Sequence, residues 1–293
     1  MSFDLHALHA AVAAHGTVAR IVITGVAGSA PRGTGTAMLV WASGQSGTIG
    51  GGALELEATQ AARMLLTTRG ATRRQYPLGP TLGQCCGGAV TLVTEVFAAA
   101  NLPTALPFAR RISGKLPRPN AKTFTDKDGW LIETALPQPR PLWIYGAGHV
   151  GRALVHVMAP LPDFAITWVD THADRFPLTD VTTVVATDPA QVVRHAPREA
   201  AHLILTYSHA IDLALCHAIL SHDFNSAGLI GSATKWARFR SRLAALGHAP
   251  AQISRIACPI GDPLLGKHPA ALALGVATAM IGSQNRRSKD RTA

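Results

Sequence analysis

The sequence predicts an α/β protein in two parts: an N-terminal α+β domain, then a doubly wound parallel-sheet domain. Three observations predict it. From Pro141 onward short apolar runs alternate with helical patterns, as in a parallel sheet covered on both faces. The second part opens with Gly146-Ala147-Gly148-His149-Val150-Gly151 directly after an apolar run. Before residue 98, β-branched runs and amphipathic stretches are punctuated by three glycine-rich loops. With 293 residues the chain has room for two ordinary domains, and 47% hydrophobic against 15% charged residues suits packed cores rather than disorder.

Phe3 to His15 places Leu5, Leu8 and Val12 at helical spacing. Thr17 to Val26 reads as a strand, followed by the loop Gly28-Ser29-Ala30-Pro31-Arg32-Gly33-Thr34-Gly35. Thr36 to Trp41 is a second strand and Ala42 to Gly47 a turn. Thr48-Ile49-Gly50-Gly51-Gly52 leads into a helix from about Ala53 to Thr68, with Leu54, Ala58, Ala61 or Ala62, and Leu65 on its apolar face. Arg73 to Leu78 and Ala89 to Phe97 close the first domain, residues 1–97, as strands around the tight loop Gly79 to Gly88. Residues 98–140 are rich in proline and basic side chains and read as a linker. Within it, Lys122 to Thr125 and Trp130 to Thr134 flank Asp126-Lys127-Asp128-Gly129, a hairpin signal. In the second domain, residues 141–283, strands are expected at Leu142–Tyr145, Ile166–Val169, Thr182–Ala186, Leu203–Thr206 and Gly228–Ile230. Helices are expected at Asp212–Ser221 and Thr234–Leu246, and residues 284–293 read as a disordered tail.

The net charge of +10 raises a nucleic-acid reading, which its placement argues against. Residues 98–140 and the last ten residues carry +7 of it, with no recognition helix or aromatic-studded basic face. No apolar run approaches the ~18–20 residues needed to span a bilayer; the longest, Ala270 to Gly282, is short and rich in Ala and Gly. Met1 to His15 has no basic flank or small-residue cleavage site, so a cytoplasmic protein is expected, with neither nucleic acid nor membrane as partner.

The strongest motif is LWIYGAGHVGRAL, Leu142 to Leu154. In a Rossmann-like fold Gly146 permits the tight turn, Gly148 lets backbone approach a phosphate, and Gly151 allows close helix–sheet packing. Asp170, about 20 residues on, stands where a carboxylate would hold ribose hydroxyls. A Rossmann turn without any nucleotide is the competing reading. Four cysteines are present: Cys85, Cys86, Cys216 and Cys258. Their spacing suits neither a structural zinc site nor the usual disulfide. Cys85 and Cys86 sit in Leu82-Gly83-Gln84-Cys85-Cys86-Gly87-Gly88, where flanking glycines leave the sulfurs open to a soft metal or a sulfur-transfer partner. Buried thiols acting as small hydrophobes are the alternative. Gly50, Gly51 and Gly52 form either an anion cradle or a loop whose Glu55 and Glu57 simply favour the helix dipole. His209 and Asp212 follow the fourth parallel strand, where ligands of such sheets collect, although Ser208 or Asp212 as a helix cap explains the run equally well. Lys235, Arg238, Arg240 and Arg242 read as a solvated helix face.

Taken in order, these stretches resemble the XdhC/CoxI family of accessory proteins for molybdenum hydroxylases. The resemblance is carried by Gly28–Arg32, Gly50–Glu55, Gly83–Gly88, Gly146–Gly151, Val169-Asp170 with Arg175-Phe176, Ser208–Asp212, Gly228–Ser232 with Lys235 and Arg238-Phe239, and Cys258–Gly261. One departure is Ala53, where the family often has a cysteine, so any thiol role rests on Cys85 and Cys86. The resemblance implies a protein without catalytic residues or metal ligands of its own. It would bind molybdenum cofactor (Mo-molybdopterin), shield it while a cysteine desulfurase installs its terminal sulfido ligand, and pass it to apo-xanthine dehydrogenase. The implied binding residues are Gly50, Gly51, Gly52, Glu55, Cys85 and Cys86 in the first domain, and Gly146, Gly148, Gly151, Asp170 and His209 in the second. Cofactor-synthesis enzymes as further partners, a homodimer, and a nucleotide in the Rossmann pocket are also expected. Two rivals share these residues: an NAD(P)-dependent oxidoreductase with His209 as acid, and a thiol redox sensor built on Cys85–Cys86.

Overall fold

The computed structural model describes residues 3–79, 87–121, 123–135 and 138–290, with side-chain surroundings to residue 282 except at Pro263. Two compact units divide the chain at Pro137/Gln138.

In the first unit α1 (Leu5–His15) starts at Asp4, whose Oδ1 accepts from Ala7 N–H at 2.8 Å, and buries Leu8 and Val12. An antiparallel sheet of β1 (Val18–Ala27), β2 (Ala37–Trp41), β3 (Gly44–Gly47), β4 (Ala71–Pro77) and β5 (Ala89–Phe97) has the order β3-β2-β1-β5-β4. The alternation of β1 explains its sequence. Ala19, Ile21 and Ile23 pack under α2 (Gly52–Thr68), which contributes Leu54, Ala58 and Ala62, while Val18, Arg20 and Val22 turn to the opposite face. The strand β3 lies within the expected turn 42–47; Gly44-Gln45-Ser46-Gly47 has no apolar alternation, and its pairing with β2 holds it. At the end of α2, Arg69 adopts φ 56° and ψ 165°. That region is nearly confined to glycine, and a residue with a Cβ costs about 1–3 kcal/mol there.

The stretch expected to be a linker is instead part of this unit. The anticipated hairpin forms from β7 (Thr125–Lys127) and β8 (Trp130–Glu133), turning through Asp128 and Gly129 at φ 56° and 80°. Positive φ at both turn residues suits the twist of a two-residue hairpin. A third strand, β6 (Phe108–Arg111), pairs with β8. This small sheet is tied to the large one by buried charge. Arg20 of β1 donates to both carboxylate oxygens of Glu133 at 2.9 and 2.8 Å. Arg110 of β6 reaches Glu133 at 2.6 Å and clamps Glu95 of β5. Arg73 of β4 pairs with Asp126 of β7. Glu133 is fully buried and Arg20 almost so, an arrangement tolerable only because each charge faces an opposite one.

The second unit is a six-stranded parallel sheet: β9 (Arg140–Tyr145), β10 (Phe164–Asp170), β11 (Thr182–Val185), β12 (Ala201–Ile204), β13 (Ser226–Leu229) and β14 (Ile256–Ala257), ordered β11-β10-β9-β12-β13-β14. Helices α3 (His149–Met158) and α7 (Pro269–Asp290) cover one face. Helices α4 (His209–Leu220) and α5 (Ala233–Ala245), with the short α6 (Pro250–Ile253), cover the other. Helix α7 continues to Asp290, where an irregular tail from Gln284 was expected. The strand order reverses between β9 and β12, so the crevice at their carboxyl ends is the switch point where ligands of such sheets bind. Inside, the Tyr145 hydroxyl lies 3.1 Å from Nδ1 of buried His202. Burial, with a smaller contribution from His222, pulls the His202 pKa from 6.5 to about 4.

Two outcomes are expected. Glu133→Ala strands the buried Arg20 guanidinium, while Arg110 keeps Glu95, and should lower stability by about 3–5 kcal/mol in urea unfolding. His202 folds neutral, so its contribution is complete above pH 6.5 and declines as pH falls toward about 4. The change amounts to about 3 kcal/mol, and His202→Phe should flatten the pH dependence of unfolding over that window.

Candidate functional site

In the first unit the glycine loops converge at one end of the sheet. A Cβ on Gly50 would lie 2.6 Å from Pro31 Cγ, so the Thr48–Gly52 turn rests on the Gly28–Gly35 loop. A Cβ on Gly88 would lie 2.3 Å from Ser29 O, which brings the third loop against the first. Leu78 N–H donates to Gly88 O at 2.8 Å and closes the third loop at its base. Cys85 and Cys86 belong to this third loop and lie outside the described residues.

Glu55 organises the middle turn. Its Oε2 accepts from Thr48 Oγ1 at 2.5 Å and from the N–H groups of Ile49 and Gly51 at 3.0 Å, while Gln45 donates to Oε1 at 3.1 Å. Gly50 N–H turns to Thr48 Oγ1 at 3.1 Å. Burial would raise the carboxyl pKa, but the bonds from Thr48, Gly51, Ile49 and Gln45 outweigh it and hold the group below its ordinary value. The nest of N–H groups expected to receive an anion therefore already holds the chain's own carboxylate. No side chain caps α2, which leaves the first-turn N–H groups beyond Gly51 to other partners.

In the second unit the Gly146–Gly151 turn has the anticipated geometry. Gly146 has φ 115°, and a Cβ there would lie 2.5 Å from Leu205 O; one on Gly151 would lie 2.0 Å from Gly146 O. Gly148 has open space at the same place. It is the position where a phosphate would approach. Among the helices that follow parallel strands, α4 is capped by Ser208 and α5 by Ser232, whereas α3 has no side-chain cap. The N–H groups opening α3 thus remain for an anion.

Asp170 stands at the strand end but is turned inward. It is 3% exposed, and its Oδ2 accepts from Ala147 N–H in the turn at 2.5 Å. Its Oδ1 accepts from Thr171 N–H at 2.6 Å and lies 3.0 Å from Arg175 Nε, which forms an ion pair without being aligned to donate. Arg175 also lies 4.9 Å from the Tyr207 ring centroid. Beneath, the crevice lined by Tyr145, Gly146, Asp170, Thr206, Tyr207 and Ile211 is only about 10 Å³, room for one water at most. In this conformation Asp170 braces the turn instead of offering ribose a free carboxylate.

His209 begins α4 and packs edge-on to Phe239, with centroids 6.2 Å apart. Ser208 is the helix cap. Asp212 is fully buried, accepting from Thr206 Oγ1 at 2.6 Å and from Lys235 Nζ at 2.5 Å. Lys235 also donates to Ile230 O at 2.9 Å, so it is a buried partner and not part of a solvated face. A sequence signal for this existed. A cation in the first turn of a helix opposes the dipole, and such a residue needs a carboxylate nearby. Cys216 is buried in the core, where burial pushes its thiol pKa far up; the Cys258 thiol is raised for the same reason. Neither is an activated nucleophile. Among the described residues no His, Cys, Asp and Glu cluster has metal-binding geometry, and no helix is long and apolar enough to cross a membrane.

A Rossmann domain preceded by an antiparallel domain with converging glycine loops defines a class of two-unit α/β proteins. Residues 142–280 match the XdhC Rossmann domain and residues 11–77 match the XdhC and CoxI family. The chain belongs to the XdhC and CoxI family, which supports a role in xanthine dehydrogenase maturation over catalysis. A solved protein from Bacillus halodurans, described as a xanthine dehydrogenase, is 19% identical and superposes with a TM-score of 0.76 over 98% of this chain and 97% of that one. At that identity the likeness shows the shared fold. Escherichia coli tRNA N6-threonylcarbamoyladenosine dehydratase is 13% identical, covering 51% of this chain and 88% of its own, with a TM-score of 0.35, too low to carry any argument. No curated protein sequence matches.

The glycines of the Rossmann turn should separate on substitution. Gly146→Ala and Gly151→Ala drive a methyl into backbone and should destabilise the second unit by about 1–3 kcal/mol or more in thermal unfolding. Gly148→Ala, with a clear Cβ position, should fold as the parent does.

Proposed function

We propose that this protein is a cofactor chaperone. It receives molybdenum cofactor as cargo, shields it while a cysteine desulfurase installs the terminal sulfido ligand, and delivers it to apo-xanthine dehydrogenase. The observation that carries this reading is the contact of the first two glycine loops at one end of the first unit's sheet, with Gly88, at the base of the third, set against Ser29. Cys85 and Cys86 precede Gly88 in sequence. Membership of the XdhC and CoxI family supports it.

The chemistry of the cargo sets what the chain must supply. A phosphate asks for unengaged backbone N–H groups, which the first turn of α2 beyond Gly51 offers in the same unit as the glycine loops. The α3 N-terminus beside Gly148 offers a separate anion site within the second unit. Molybdenum is soft enough for thiolate company, and the glycine-flanked Cys85–Cys86 pair is suited to sit beside it or beside incoming sulfur. The loops around Gly50 and Gly88 leave little side-chain bulk between a planar pterin and the backbone. Cofactor-synthesis enzymes as donors, a homodimer and a cytoplasmic setting belong to the same proposal. The oxidoreductase alternative meets one obstacle: the carboxylate that would hold ribose is engaged by Ala147 N–H.

Protein purified in the presence of excess cofactor should yield the fluorescent pterin on oxidation. Cys85→Ala with Cys86→Ala should cut both retained molybdopterin and activation of apo-xanthine dehydrogenase by about tenfold, the scale of losing a residue that supports a metal site. Unchanged retention and activation would remove the thiols from the proposal. Saturable NADH binding with hydride transfer to a small carbonyl would replace it with the enzyme.

A further inference from the structure

The first unit contains a second recess that none of these roles uses. A cavity of about 590 Å³ opens between the end of β5, the end of α2 and β6. It lies at the Phe97 end of β5, whereas the glycine loops meet at the Ala89 end. Eight strand steps of about 3.3 Å separate the two, so one compact ligand does not fill both.

Its lining residues include Arg69, Arg110 and Arg111 with Glu95, Asn101, Phe97 and Phe108. The charges do not cancel. Arg110 is engaged by Glu95 and Glu133, and Arg20 by Glu133, so those four groups form a neutral, hydrogen-bonded floor. Arg69 and Arg111 have no carboxylate partner among the described residues; Arg111 leans over the Trp130 ring at 5.3 Å. Two arginines without carboxylate partners therefore border a space whose other lining residues are mostly apolar, with Asn101 among them. Volumes of this size accommodate small organic ligands.

Arg69 supplies an independent observation. Its backbone stands at φ 56°, ψ 165°, where glycine would sit without strain. A cation at a helix C-terminus interacts favourably with the dipole, but that gain is smaller than the cost of the conformation. The strain is explained if the side chain serves something at the cavity.

We propose that the cavity ringed by Arg69, Arg110 and Arg111 is a binding site for a small organic anion, a phosphomonoester or carboxylate carried on an apolar body. The anionic head meets Arg69 and Arg111, and the apolar body lies against the half-buried Phe108. The Arg110–Glu95 pair keeps the floor rigid and neutral, so discrimination comes from the two unpaired cations.

Phenyl phosphate is the probe, titrated calorimetrically into the full-length protein, with phenol as the neutral control. Saturable binding is expected for phenyl phosphate alone, and it should weaken with added salt. Arg69→Gly should weaken it at least about tenfold while raising the melting temperature by a few degrees, because glycine relieves the strained backbone. Arg111→Gln should weaken binding without altering the melting temperature. Gly148→Asp, which sets a negative charge at the Rossmann turn, should leave binding intact. The proposal is overturned if phenyl phosphate does not saturate, if phenol binds equally, if Arg69→Gly binds as the parent does, or if Gly148→Asp abolishes binding. Cofactor retention is read separately, so failure here leaves the chaperone reading standing.

Discussion

Backbone N–H groups turned toward one point by a glycine-rich loop must be met by an acceptor, and in both units the chain meets them with a carboxylate of its own. Glu55 fills the nest of Ile49 and Gly51, and Asp170 takes the N–H of Ala147. Leaving such donors buried without partners would cost more than any single contact returns. The same residues that make these loops look like anion sites therefore also hold them shut. What remains for an external anion is the unclaimed ground: the uncapped start of α3 beside Gly148, and the first turn of α2 beyond Gly51.

The buried Arg–Glu network has a comparable place in the first unit. Desolvation opposes the Arg110 charge, yet Glu95 and Glu133 hold its pKa above the ordinary value. Such a network adds little net stability over an apolar core of the same shape; what it supplies here is a set of charge-paired ties between the small sheet and the large one. In the observed placement of the β6–β8 sheet Arg110 meets both Glu95 and Glu133 while Arg20 of the large sheet reaches Glu133. A Pro-rich, basic stretch of the kind usually left between domains is thereby fixed to the back of the large sheet.

The parallel sheet was legible because its determinants are local. Short apolar runs, a glycine turn at Gly146–Gly151 and helix caps at Ser208 and Ser232 each speak within a few residues. The third strand of the small sheet was not, because Phe108-Ala109-Arg110-Arg111 reads as exposed until Glu95 and Glu133, distant in sequence, neutralise it. Lys235 was hidden for a similar reason: its partner Asp212 lies 23 residues away, on a different helix. The strand at Gly44–Gly47 has no pattern of its own and exists through β2. Asp170 was placed correctly at its strand end, but position does not reveal direction, and the turn that it was expected to serve from outside engages it from within.

These internal carboxylates bear on the proposed hand-over. A ligand that must displace Glu55 or Asp170 from aligned N–H groups binds more weakly, by the free energy of the contact displaced, than it would in a vacant cradle. For an enzyme holding a resident cofactor that competition is a handicap. For a protein that gives its cargo away, a phosphate confined to the unclaimed N–H groups at the helix starts leaves both turns closed throughout, so loading and release never open buried donors. On the proposed reading, the carboxylates that close these turns confine the cargo to the helix starts and so serve release as well as the fold.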